Sequence, residues 1–120
     1  MKMRSIMLLA LLAGLLWPAG ISAQDKKREA QLRTVHGTVV DKDENELPGG
    51  VVYLKNTKTQ AIKTYIAEEK GEYRFSGLDP NVDYEIHAEK EGVTSTKRTI
   101  SSFDNRKDIV VNLKVDKKKE

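Results

Sequence analysis

Tyr84-Glu85-Ile86-His87-Ala88 alternates apolar and polar side chains without a break. Successive side chains of a pleated strand point to opposite faces, so this period of two sends Tyr84, Ile86 and Ala88 into a core and turns Glu85 and His87 to solvent. The same pattern continues on either side. Upstream, Tyr73-Arg74-Phe75 places two aromatics on one face with Arg74 on the other, just after Gly71, which can take the positive φ of a tight connection. Downstream, a last stretch begins at Asp108 and carries Ile109, Val111, Leu113 and Val115 on one face.

Farther upstream, Val35, Gly37 and Val39 share a face, and residues 41–48 gather Asp, Asn, Glu and Pro into a turn. Val51-Val52-Tyr53-Leu54-Lys55 is rich in β-branched and aromatic residues, with Val52 and Leu54 as its inward pair. Residues 56–60 turn again, 61–66 extend, 78–81 turn, and Glu91-Gly92 leads into an extended stretch over 93–100. Turn signals spaced by roughly 8–12 residues, with no helical period between them, predict an all-β, about seven-stranded, antiparallel two-sheet sandwich.

The N-terminus has a different composition. Lys2 and Arg4 precede an apolar run over residues 6–17, and residues 18–23 are mostly small, ending Ser22-Ala23. This order predicts a cleavable signal peptide over 1–23 ending at Ala23. The 12-residue run is shorter than the roughly 20 residues that span a bilayer. The reading continues with a flexible charged leader over 24–33, one domain over 34–115 and a charged tail over 116–120. Of the 120 residues, 97 would remain after cleavage, enough for one core and too few for two. The chain has no cysteine, so burial alone must hold that core, and no thiol is present to carry a disulfide or a lipid.

Removing residues 1–23 takes Lys2 and Arg4 with it and leaves 19 basic residues against 18 acidic ones. The two signs are interleaved, whereas binding a phosphate backbone needs a clustered basic face, so nucleic acid is excluded as a partner. Lys117-Lys118-Lys119 is a basic cluster at the C-terminus and reads as a solvated terminus.

Four motifs in order carry a resemblance: Val35-His36-Gly37-Thr38-Val39-Val40-Asp41, Leu47-Pro48-Gly49-Gly50-Val51-Val52, Gly71-Glu72-Tyr73-Arg74-Phe75-Ser76-Gly77-Leu78 and Val82-Asp83-Tyr84-Glu85-Ile86. Together they resemble the carboxypeptidase regulatory-like domain, over residues from about Thr34 to Val115. The resemblance implies a transthyretin-like β-sandwich, found in exported and cell-surface proteins and non-catalytic where it accompanies zinc carboxypeptidases. The shared residues are a folding code: Gly37 and Gly50 allow close backbone approach, Gly71 turns a hairpin, and Tyr73, Phe75, Leu78 and Tyr84 fill one end of the core. None of them does chemistry, and a fold alone does not fix an activity.

Residues that could carry chemistry are few. His36 and His87 fall on separate predicted strands with no ligand motif beside them, so no metal site is assigned. Asp41-Lys42-Asp43-Glu44-Asn45 begins like a calcium loop, but Glu46 stands where glycine is required and Val52 where a closing glutamate is required. Ser76, Ser101 and Ser102 lie in predicted turns without a histidine nearby in sequence, and no nucleophile is assigned. Transthyretin-like hydroxyisourate hydrolases carry a terminal Tyr-Arg-Gly-Ser motif, where this sequence reads Lys114-Val115-Asp116-Lys117-Lys118-Lys119-Glu120. Related surface sandwiches form Lys–Asn cross-links, and Asn112 is the candidate acceptor, but its neighbours Val111 and Leu113 claim the inward face. Trp17 leaves with the signal, so Tyr53 and Tyr65 are the possible outward aromatics of a carbohydrate-binding platform.

No catalytic, cofactor-binding or metal residue is therefore assigned, and no cofactor is expected. The sequence predicts an exported, soluble, non-catalytic module whose partner is a protein or glycan of the cell envelope or exterior. A carbohydrate-binding module is the first alternative and a small transthyretin-like hydrolase the second. Mass spectrometry of the exported form is expected to give a chain beginning at Gln24, whose cyclisation can itself release one ammonia, and peptide mapping is expected to show Asn112 in an unbranched peptide. A full-length mass overturns the signal, and a lysine peptide joined to the Asn112 peptide with a loss of about 17 Da overturns the absence of a cross-link.

Overall fold

The computed structural model describes residues 32–119, so the predicted signal and the leader up to residue 31 lie outside the described residues. These residues form nine strands: β1 (Arg33–Asp41), β2 (Val51–Asn56), β3 (Ile62–Ile66), β4 (Glu72–Leu78), β5 (Tyr84–Lys90), β6 (Val93–Ser95), β7 (Arg98–Ile100), β8 (Asp108–Val110) and β9 (Leu113–Lys118). Their order is β3-β2-β5-β6-β9-β1-β4, with β7 also against β5 and β8 also against β1. The predicted inward sets hold: Val35, Val39, Val52, Leu54, Ile86, Ile109 and Leu113 are all at most 2% exposed.

Two predicted strands each divide, which turns the expected seven into nine. The stretch 93–100 runs along one edge of β5 but loses register midway, as β6 pairs Thr94 with Glu89 while β7 pairs Thr99 with Glu85. At the break, the hydroxyl of buried Ser95 accepts from the Ala88 amide at 2.9 Å, in place of a ladder carbonyl. The stretch from Asp108 divides because β8 and β9 serve different parts of β1. Both run parallel to β1, which corrects the expectation of a wholly antiparallel sandwich.

Strand β1 is the piece common to both sheets. Its first half lies between β4 and β8, and its last residues, Val39 to Asp41, pair with β9. The turn from β8 into β9 passes directly over Gly37, where any Cβ would collide with the Val111 carbonyl. That contact explains why glycine is needed in mid-strand. The crossing is tied on three sides. The Val111 amide donates to the His36 carbonyl at 2.9 Å. The Val111 carbonyl accepts from the buried Tyr73 hydroxyl at 2.5 Å, and the Asn112 side-chain oxygen accepts from the Thr38 amide at 3.1 Å. Burial pushes the Tyr73 phenol up, so it stays a donor. Asn112, the candidate cross-link acceptor, is thus used to satisfy backbone.

Both ends of the domain extend beyond the predicted limits. Lys117 and Lys118 pair with Thr94 and Val93, so the predicted tail is strand as far as Lys118. Arg33, placed in the leader by its charge, is the first residue of β1 and 1% exposed. Its guanidinium donates to the carbonyls of Ser101 at 2.7 Å, Asp104 at 3.3 Å, Asp79 at 3.0 Å and Val82 at 2.8 Å. A buried charge is tolerated only when it is hydrogen-bonded in this way, and here it joins the β4–β5 loop to the β7–β8 loop. Arg33→Ala strips these carbonyls of their donor and is expected to cost about 3 kcal/mol in urea unfolding. Arg106→Ala, which loses only an exposed pair with Asp104, is expected to leave the midpoint unchanged. Equal midpoints for the two variants would contradict this role for Arg33.

Candidate functional site

The residues singled out for chemistry are dispersed and committed to structure. His36 on β1 pairs with Asp108 at 3.2 Å on the exposed face. His87 on β5 is half-buried rather than free in solvent. It stacks on Tyr53 with ring centroids 5.0 Å apart and planes 14° from parallel, and its Nε2 meets Glu89 at 2.9 Å. Lys119 completes that group at 2.9 Å from the other Glu89 oxygen. Hydrogen bonding from Lys119, then from His87, holds the Glu89 carboxyl below its ordinary range. Among the described residues, no three His, Cys, Asp or Glu side chains come together as a metal group.

The turn that resembles a calcium loop spends its first carboxylate on itself. Asp41 Oδ1 accepts from the amides of Asp43 at 2.8 Å and Asn45 at 3.0 Å, and these bonds, Asn45's first, hold its pKa down. Beside it, an open cleft of about 370 Å³ is lined by Asp43, Lys90, Glu91 and Asp116 among others. Glu44 pairs with Lys114 at 2.9 Å instead of turning inward. Among the serines, the Ser101 hydroxyl oxygen accepts from the Phe103 amide at 3.0 Å.

Tyr53 and Tyr65 lie on opposite faces of their sheet, which removes the carbohydrate platform. Opposed residues of an antiparallel pair share a face. Tyr65 opposes Val52, which is buried, whereas Tyr53 opposes Thr64 on β3 and His87 on β5. Tyr65 accordingly packs inward, edge-on to Phe75 with centroids 5.9 Å apart. Desolvation, followed by the Glu68 charge, raises its phenol pKa.

Among the described residues, β3 pairs with β2 alone and ends the strand order, so its far edge is left unpaired. Ile62 and Ile66 are 59% and 68% exposed, although both are large apolar residues on a strand. They stand on the outer face with Thr64, opposite Lys55 and Val51, and that face continues through Tyr53 to His87. The sequence marked 61–66 as extended but gave no sign that it was an edge, since edges are set by topology. The available signal was its composition: isoleucines on one face and a tyrosine on the other, with neither face wholly polar.

Comparison with known proteins places this architecture. The serine-aspartate repeat-containing protein I of Staphylococcus saprophyticus is 44% identical over 59 residues, covering 48% of this chain and 3% of that protein. The serine-aspartate repeat-containing protein F of Staphylococcus epidermidis is 39% identical over 71 residues, 58% of this chain and 4% of that protein. Among solved structures, a streptococcal ancillary pilin matches with a TM-score of 0.55 at 18% identity, over 73% of this chain and 33% of its own. The catechol 1,2-dioxygenase of Acinetobacter radioresistens matches with a TM-score of 0.56 at 13% identity, over 82% and 55%. These two share the fold alone. Residues 34–116 match the carboxypeptidase regulatory-like domain, the family to which this chain belongs.

Proposed function

We propose that this chain is an exported, non-catalytic β-sandwich module that acts in the cell envelope or outside the cell by binding a protein chain along β3. The observation that carries the reading is the open β3 edge, with Ile62 and Ile66 exposed beside the Tyr53–His87 face. An unpaired strand offers amides and carbonyls to any extended segment, and flanking apolar side chains add selectivity.

Three further features support it. The fold itself decides little, because both a pilin and a dioxygenase carry it. The side chains decide more: both histidines, Asp41 and Glu89 are engaged in ion pairs, stacking or turn bonds. The serine-aspartate repeat-containing relatives are far longer than the segment matched, as expected for a module. The signal-like N-terminus supplies the export part of the reading.

The test is capture from a cell-envelope extract on the immobilised exported chain, beside the Ile62→Lys/Ile66→Lys double variant. Both substitutions add charge to exposed positions, so melting is expected to stay within a few degrees of the parent. A stoichiometric protein partner is expected on the parent and at least tenfold less on the variant. Turnover of a hydrolase substrate panel by the purified chain, or capture indifferent to the double variant, would sink the proposal.

A further inference from the structure

The register of β3 on β2 determines which backbone groups face the open edge. In an antiparallel ladder, opposed residues alternate between pairs that exchange both hydrogen bonds and pairs that exchange none. The hairpin bond from the Asn56 amide to the Ala61 carbonyl at 2.9 Å, and the one from the Ala67 amide to the Gly50 carbonyl at 2.8 Å, fix that alternation. Lys63 and Tyr65 therefore bond to β2, opposite Leu54 and Val52, while the amides and carbonyls of Ile62, Thr64 and Ile66 point away from it. These same three residues carry the exposed outer side chains.

From this geometry we infer that the occupant of the β3 edge is the β3 edge of a second copy, paired antiparallel about a two-fold axis at Thr64. The inference rests on the proposed binding role of β3 and names its partner. Self-pairing centred on Thr64 sets Thr64 against Thr64, and Ile62 against Ile66 in both directions. Every one of these is a hydrogen-bonding pair, so the arrangement closes about six backbone bonds. It also covers all four exposed isoleucines with one another on a single face. Lys63 comes opposite Tyr65 of the other copy, so no like charges meet, and a two-fold contact of this kind is closed and self-limiting.

The other free edge argues the same way by contrast. β4 presents Glu72 and Arg74, and its pairing with β1 is broken by a register shift next to Gly77, whose φ is +71°. Charge and an irregular end are the usual protections of an edge strand. β3 has a single charge, Lys63, no proline and no bulge.

The register yields a discriminating pair of variants. Thr64 gives no amide to β2, so Thr64→Pro leaves the β2–β3 ladder intact and removes the central bonds of the dimer. Sedimentation equilibrium of the exported chain up to about 1 mM is expected to show a monomer–dimer equilibrium. Thr64→Pro and Ile62→Lys/Ile66→Lys are each expected to weaken it at least tenfold. Hydrogen exchange at the Thr64 amide is expected to slow as concentration rises, while the Tyr65 amide stays slow throughout. A parent that remains monomeric with a fast Thr64 amide overturns the second-copy inference, and so does a dimer indifferent to both variants. If the parent is monomeric yet envelope capture still depends on Ile62 and Ile66, the binding role stands and the occupant is another chain.

Discussion

A single guanidinium at the start of β1 sets the conditions under which this sandwich can close. Arg33 is buried and reaches four carbonyls on two loops, separated from it by 46 to 71 positions in sequence. A charge in that position is strongly unfavourable without its acceptors, and the acceptors lie buried or half-buried without the charge. The loops 79–82 and 101–104 are therefore placed by Arg33, and the strands they connect inherit that placement. Asp104, held down to about 2 mainly by its hydrogen bonds with Arg106, adds a fixed negative charge close by.

The rest of β1 extends the same constraint along the molecule. One strand belongs to both sheets because Gly37 lets the chain between β8 and β9 cross its backbone, and Tyr73 and Asn112 complete the hydrogen bonding there. In most two-layer sandwiches the sheets are held together chiefly by apolar contact. Here a continuous strand also joins them, and the inward side chains of β1, Val35 and Val39, are fully buried.

Faces were legible in the sequence, whereas partners were not. Which way a side chain points depends on its immediate neighbours, so Val52, Leu54, Tyr73, Phe75, Ile86 and Ile109 could be assigned inward from alternation alone. Register depends on residues far along the chain. Tyr65 looked outward because its stretch has no clear alternation, and only its pairing with Val52 shows that it faces the core. The parallel placement of β8 and β9, and the slip that separates β6 from β7, likewise follow from contacts that no local pattern encodes. Arg33 was misplaced for the opposite reason. Its charge is evident locally, and what neutralises the cost of burying it is a set of backbone carbonyls that carry no sequence signature.

The candidate site inherits this division. Because β1 joins the sheets through β9, the sandwich is closed along one side, and β3 and β4 are left as the two ends of the strand order. The contact between Tyr65 and Phe75 bridges those ends from inside, so the inner faces are covered while the outer backbone of each edge is not. On β4, charged residues and an irregular end make that exposure harmless. On β3, the residues whose amides face outward, 62, 64 and 66, include both exposed isoleucines, because both properties recur every second position and here fall in the same phase. Backbone and side chains thus recommend the same strand for association, for reasons that do not depend on each other.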